Sequence, residues 1–292
     1  MPIETRNPAT GELIKVYPAL TQGDVDIVLE QVHHAFLQWR QISIQERAEL
    51  MENAALVIES HKEDYAGLMA DEMGKPITAG LAELAKCQKA CRYYAENAQY
   101  QLADRLISTE MKKSYVTYQP LGTVFGIMPW NFPFWQVFRF AMPNLIAGNT
   151  CVLSHAPIST GTGQAIESIL KKAGFPGSVF RSVVVENDMA KYIIEHKHIC
   201  GVILTGSELA GRTVGAEAGH ALKKTVLELG GVDPYVILED ADLELAAESI
   251  VRSRMLNTGQ ACIAAKRIIA VTSVCEQLQQ LVLAKLSEYK LG

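Results

Sequence analysis

Thr123-Val124-Phe125-Gly126-Ile127-Met128 carries no charge and is rich in β-branched and large apolar side chains. It reads as a strand buried on both faces. A helical pattern follows over residues 134–147, and then a second apolar run, Thr150-Cys151-Val152-Leu153-Ser154. The alternation continues. Helix 160–173 is followed by strand 179–185, helix 190–196, strand Gly201-Val202-Ile203-Leu204 and helix 208–219. Strands Val226-Leu227-Glu228 and Tyr235-Val236-Ile237-Leu238 close the series. Apolar strands alternating with helices predict an α/β fold: a doubly wound parallel sheet covered on both faces. Ligands of such sheets lie at the carboxyl ends of the strands.

Upstream of this block the pattern is helical. Asn7-Pro8-Ala9-Thr10-Gly11-Glu12 reads as a turn between two short extended pieces. Asp24 is placed to cap a helix with apolar positions Val25, Val28, Leu29, Val32 and Phe36. Helices are predicted over 44–60, 62–73 and 78–100, with Gly74-Lys75-Pro76 ending the one over 62–73. These helices offer no recognisable chemistry, and His33, His34 and His61 read as surface or packing residues. Residues 113–119 alternate and are rich in β-branched and aromatic side chains, which predicts a solvent-facing strand in a hairpin. Downstream, helix 243–256, strand 267–271 and helix 274–289 look like the opening of a second α/β unit.

The totals exclude several classes. With 292 residues, 49% hydrophobic and 20% charged, the chain has the composition of a soluble globular protein of about two domains. A formal net charge of −5 gives no footprint for nucleic acid or an anionic membrane. Six cysteines without a paired framework suggest a reducing compartment. No His or Cys partners stand at metal spacing around Cys87 and Cys91, which argues against a zinc site. There is no signal-peptide pattern and no long apolar run, so the expected location is cytoplasmic.

Three stretches carry candidate chemistry. In Asn257-Thr258-Gly259-Gln260-Ala261-Cys262 a thiol follows a polar, glycine-containing turn that can bring a main-chain N–H close to whatever the sulfur attacks. On its own such a cysteine is more often a small buried hydrophobe. Glu228 sits in the apolar run Val226-Leu227-Glu228-Leu229, where desolvation would raise its pKa towards that of a general base. A structural ion pair with a Lys or Arg is the equal alternative. Thr205-Gly206-Ser207 lies between a strand and a helix, where a helix N-terminus can receive a phosphate or the turn can be an ordinary one.

Together with Met128-Pro129-Trp130-Asn131-Phe132-Pro133, these stretches make the chain similar to the N-terminal part of an aldehyde dehydrogenase. The Pro-Trp-Asn-Phe-Pro, Thr-Gly-Ser, Glu-Leu-Gly-Gly and Asn-Thr-Gly-Gln-Ala-Cys motifs occur in the family's order, with its spacing from Glu228 to Cys262. The resemblance covers all of this chain and roughly three-fifths of the family's usual length. It implies a Rossmann-like dinucleotide domain over 1–104 and 119–231, an oligomerisation-type β-hairpin over 105–118, and the start of a truncated catalytic domain over 232–292. It also implies a homo-oligomer.

The resemblance further implies a reaction. Cys262 attacks an aldehyde carbonyl as the thiolate. The Asn131 amide and the Cys262 backbone N–H hold the oxyanion, hydride passes to NAD or NADP, and Glu228 activates the water that hydrolyses the thioester. Cofactor contacts are implied for Met128, Pro129, Trp130, Ser154, Ala156, Pro157, Gly206, Ser207 and Leu229. Ser154 stands where the family usually has a lysine, which predicts weaker dinucleotide binding, more so for NADP. Pro133-Phe134-Trp135-Gln136-Val137-Phe138-Arg139 resembles the succinate-semialdehyde dehydrogenase branch, and Arg139 matches the arginine that receives the substrate's far carboxylate. A surface ion pair is the plainer role for Arg139. Leu256 stands where some members carry a second arginine. The alternative function is a non-catalytic remnant that acts as a dinucleotide-binding or assembly module. A cofactor-independent esterase is a third.

Overall fold

The structure is a computed structural model and describes residues 2–290. Strands β1 (Ile3–Arg6) and β2 (Leu13–Tyr17) pair antiparallel across the expected Asn7–Glu12 turn. Helices α1 (Gln22–Trp39), α2 (Ile44–Ser60), α3 (Lys62–Met73) and α4 (Ile77–Gln101) follow. Thr21, rather than Asp24, is the N-cap of α1. Its hydroxyl accepts from the Asp24 N–H, and the Asp24 carboxylate accepts from the Thr21 N–H, a capping box that places the N-cap three residues upstream of Asp24. Gly74 ends α3 in the left-handed conformation (φ 70°) that lets the chain turn into α4.

Strands β3 (Arg105–Leu106) and β4 (Tyr115–Val116) form the expected hairpin, but only two residues of each strand are paired. The α/β block then reads β5 (Thr123–Met128), α5 (Trp135–Ile146), β6 (Thr150–His155), α6 (Thr160–Lys172), β7 (Phe180–Val183), α7 (Met189–Glu195), β8 (Ile199–Thr205), α8 (Glu208–His220) and β9 (Lys224–Glu228). Its five strands are all parallel, in the order β7-β6-β5-β8-β9. β5 is central because the chain winds outward from it in one direction and then in the other, which is the doubly wound topology.

Successive side chains of a strand point to opposite faces, and the core divides accordingly. Cys151 and Leu153 of β6 join one buried cluster with α2–α6, whereas Val152 joins the other with α1, α7 and α8. Gly126 in the middle of β5 lies directly under the Phe140 ring of α5, and a Cβ there would overlap that ring. Gly126→Ala is therefore expected to lower stability by about 1–3 kcal/mol through overpacking, read as a shift of the urea midpoint. An unchanged midpoint would mean that α5 can lift off the sheet without cost.

The described residues divide into two compact units, one ending at Glu228 and the other starting at Leu229. The second contains β10 (Pro234–Ile237), α9 (Leu243–Arg254), β11 (Arg267–Ala270) and α10 (Thr272–Leu286). β10 and β11 pair in parallel. Ile237, Ala247, Ile250, Val274 and Leu278 form a small core of their own. No described helix is long and apolar enough to cross a membrane.

Candidate active site

The sheet register brings the motifs of the first unit to one edge. Met128 of β5 stands opposite His155 of β6, Ile127 opposite Leu204 of β8, and Thr205 opposite Glu228 of β9. The loops that carry Pro129–Pro133, Ala156–Pro157 and Gly206–Ser207, together with Glu228, thus leave the sheet at its carboxyl edge. The sheet order reverses at β5, and the crevice at such a switch point is where α/β sheets bind ligands. Asn131 is half-buried there, and Trp130 is exposed.

The loop after β5 is held on one side by groups from outside the α/β block. Lys75, in the turn between α3 and α4, donates from Nζ to the Asn131 carbonyl at 2.9 Å and lies 4.1 Å from the centre of the Phe132 ring. It pairs with Glu83 of α4 at 2.8 Å, both side chains being withdrawn from solvent. Glu83 Oε1 accepts the N–H groups of Phe134 (2.9 Å) and Trp135 (2.8 Å). Burial pushes the Glu83 carboxyl up and the Lys75 ammonium down, and their mutual attraction opposes both shifts. On the far side, His155 Nε2 hydrogen-bonds the Pro133 carbonyl at 2.9 Å. The α3–α4 segment, in which the sequence offers no recognisable chemistry, thus supports the candidate oxyanion loop. The available signal was Glu83 itself, a carboxylate on the same helical face as buried Gly80, Leu84 and Cys87.

At the β8–α8 junction, Ser207 caps α8, and its Oγ accepts from the Ala210 N–H at 3.2 Å. A Cβ at Gly206 would meet only ordinary contacts at 3.7–3.8 Å. An anion at this helix start would therefore meet backbone N–H groups and the positive end of the helix dipole. At the end of β6, half-buried Ser154 offers a hydroxyl, and His155 is buried beneath the Pro133 carbonyl. The fit to a dinucleotide pyrophosphate is sound at α8, whereas Ser154 has no charge to offer at the end of β6.

Glu228 differs from its sequence expectation. β9 is an edge strand, exposed at each of its five residues, and the Glu228 side chain is 51% exposed. The desolvation expected of a buried strand end is absent, because an apolar run does not report which strand lies outermost. Glu228 instead faces Arg139 of α5 at 3.6 Å, and Arg139 also donates to Thr205 Oγ1 at 3.4 Å. The ion-pair alternatives for Glu228 and Arg139 are one and the same contact. Both groups line a cleft with Met128, Gln136 and Val226.

In the second unit, Cys262 is exposed and follows an irregular turn. Asn257 (φ 52°), Thr258 (φ 56°) and Gly259 (φ 81°) are all left-handed. The bend that sequence assigns to the glycine therefore begins two residues earlier, at Asn257, and passes through Thr258, a β-branched residue for which it is costly. Lys266 Nζ bridges the Cys262 carbonyl (2.5 Å) and the Gly231 carbonyl (2.6 Å), and Arg267 Nε donates to the Val232 carbonyl at 3.0 Å. These bonds tie the Glu-Leu-Gly-Gly motif's trailing residues to the cysteine turn. Cys87, Cys91 and Cys151 are fully buried, and burial pushes their thiols up. Among the described residues no cluster could hold a metal ion.

Comparison with known proteins agrees with the motifs. Residues 1–292 match the model of the aldehyde dehydrogenase family. The chain is 42% identical over its full length to a probable NADP-dependent succinate-semialdehyde dehydrogenase of Synechocystis, and covers 64% of that protein. It is 41% identical over 286 residues to an NAD(P)-dependent succinate semialdehyde dehydrogenase of Escherichia coli, covering 98% of this chain and 62% of the relative. Among solved structures, Gox0499 superposes with a TM-score of 0.98 at 34% identity, over 100% of this chain and 64% of that one. The Streptococcus pyogenes succinic semialdehyde dehydrogenase, solved with NADP+, gives 0.96 at 32% identity over 99% and 64%. The chain thus spans just under two thirds of the length of these relatives.

Proposed function

Because the chain belongs to the aldehyde dehydrogenase family, we propose that it oxidises an aldehyde, with succinate semialdehyde as the preferred one, to the carboxylic acid with NAD or NADP. The observation that carries this reading is the convergence of the Asn131 loop, the Ser207-capped helix start and Glu228 on the carboxyl edge of one parallel sheet. The names of the relatives and the Arg139 guanidinium in the cleft support a substrate with a second carboxylate.

In this reading the Cys262 thiolate forms a bond to the aldehyde carbon, and the carbonyl electron pair moves onto oxygen. The Asn131 side-chain amide and the Cys262 N–H donate hydrogen bonds to that oxyanion. A bound nicotinamide cofactor would supply the acceptor for the hydride that leaves the former aldehyde carbon, and Cys262 then carries the acyl group as a thioester. Glu228 takes a proton from water, which attacks the thioester, and the acid departs as the thiolate is restored. For this, Glu228 must turn from Arg139. A carboxylate-bearing substrate gives Arg139 another partner and would release Glu228 for that role. Ser207 and the first turn of α8 would hold the pyrophosphate, and Met128, Pro129, Trp130, Ser154, Ala156, Pro157, Gly206 and Leu229 would contact the rest of the dinucleotide.

The test is cofactor reduction followed in absorbance, with NAD and NADP, on succinate semialdehyde and on an aliphatic aldehyde. Turnover that Cys262→Ala abolishes is the expected result. Alkylation supplies a second readout: exposure opens Cys262 and Cys275 to reagent, and a nucleophilic Cys262 reacts faster than Cys275. Equal rates at the two thiols, with no turnover in a cooperatively folded protein, would favour the second reading, a dinucleotide-binding module. The Arg139–Glu228 pair, which occupies the acid, is the observation on that side.

A further inference from the structure

We propose that Lys75, Glu83 and His155 are positioning residues for Asn131: a buried three-sided clamp that fixes the backbone on which the oxyanion-binding amide is carried. This deepens the reading of Asn131 given above and rests on it.

Three grips act on successive parts of one short loop. Lys75 holds the carbonyl of Asn131 itself at 2.9 Å. His155 holds the carbonyl of Pro133 at 2.9 Å. Glu83 holds the N–H groups of Phe134 and Trp135, at 2.9 and 2.8 Å, just as α5 begins. None of these contacts belongs to the loop's own secondary structure. They come from the α3–α4 turn, from α4 and from β6, three separate elements. The start of α5 has no side-chain cap of its own, so Glu83 does from outside what an N-cap residue does within a helix. The Lys75–Glu83 pair at 2.8 Å links two of the grips. Displacing either side chain therefore loosens the loop at both of its ends.

The chemical reason for such a clamp is geometric. An oxyanion-binding donor acts only when it is held within a few tenths of an ångström of the place where charge develops, before the charge appears. The two prolines of this loop restrict φ but have no N–H with which to anchor the backbone, and Trp130 is exposed. Buried charge-assisted hydrogen bonds to the loop backbone supply that anchor.

The experiment reads the loop directly in the folded chain by NMR. Amide exchange is followed at Phe134 and Trp135, and the side-chain amide of Asn131 is assigned by its loss in Asn131→Ala. The variants are Lys75→Met, Glu83→Ala and the acceptor-keeping Glu83→Gln. Glu72→Ala serves as the control, since Glu72 is a buried acid that binds α6 and does not touch the loop. Glu83→Ala is expected to speed exchange at Phe134 and Trp135 by ~100-fold relative to β5 amides. Lys75→Met is expected to broaden or split the Asn131 side-chain pair, and Glu83→Gln to restore most of the protection. Loop exchange that follows the global opening alike in Glu83→Ala and Glu72→Ala would overturn the proposal, as would an Asn131 signal unmoved by Lys75→Met. Turnover separates this from the reading beneath it. Lys75→Met is expected to lower kcat by ~10–100-fold with KM little changed. Full turnover in Asn131→Ala would instead overturn the role of Asn131 while leaving the exchange result intact. A kcat unchanged in Lys75→Met, where Asn131→Ala is inactive, would overturn the clamp.

Discussion

Replacement of Glu72 by alanine is expected to lower the stability of the fold by about 3 kcal/mol, because it strands several buried donors at once. Helix α6 has no side-chain cap from its own Ser159. Its cap comes from α3: Glu72 accepts the N–H of Gly161 at 2.7 Å, the N–H of Thr162 at 3.0 Å and the Thr162 hydroxyl at 2.8 Å. The carboxylate is also favoured by the positive end of the helix dipole. Burial pushes its pKa up, and the Thr162 and Gly161 donors oppose that shift. Gly161 has no side chain because a Cβ would press on Glu72 and on the Tyr17 hydroxyl. Glu72→Gln is informative beside Glu72→Ala. Its carbonyl oxygen can accept one backbone N–H, but its NH2 group must then face another donor, so it is expected to recover about half of the loss. Urea unfolding of the three proteins, with m-values compared, measures this. A midpoint for Glu72→Ala within ~0.5 kcal/mol of the parent would mean that water or a neighbouring side chain caps α6 as well.

Glu72, Glu83 and Lys75 mark the boundary of what could be read from residues alone. The α/β block was legible because its central strands are buried on both faces and must be apolar throughout, as β5 and β6 are. The helix starts were legible to within one turn, since a Thr21–Asp24 box and an Asp24 cap share the same residues. The position of a strand within its sheet is not a local property. Val226-Leu227-Glu228 therefore read as buried, although β9 lies at an edge and Glu228 faces Arg139. The motifs pointed to Asn131, Glu228 and Cys262 through resemblance, whereas Lys75 and Glu83, two of the supports of Asn131, lie 56 and 48 residues upstream in sequence. A buried ion pair formed between a helix end and a helix face has no periodic signature. Its trace is a charged residue on an apolar stripe, and such residues are as often solvated at a stripe's margin.

His155 shows the same limit and gives the second large effect. It follows Ser154, which stands where the resemblance implies a lysine, yet the side chain is buried and its pKa is pushed down to about 4, burial outweighing its hydrogen bond to Pro133. Nε2 faces a carbonyl and so carries the proton, while Nδ1 is buried with no hydrogen-bond partner among the described residues. A second proton would have to enter that apolar side. Between about pH 4 and pH 6.5 the unfolded chain binds a proton at this residue that the folded chain refuses, so stability falls as pH is lowered through this window. The full difference amounts to ~3 kcal/mol. His155→Gln keeps a donor for Pro133 and removes the titration. It is expected to be less stable than the parent near pH 7.5, because the ring's packing is lost, and to close that gap by ~2 kcal/mol near pH 5. Paired urea unfolding at the two pH values measures it, since ordinary surface carboxylates titrate alike in both proteins. A gap of the same size at both pH values would mean that His155 reaches solvent readily enough to take its proton in the folded state. The anchor on the Pro133 carbonyl would then be one that opens on its own.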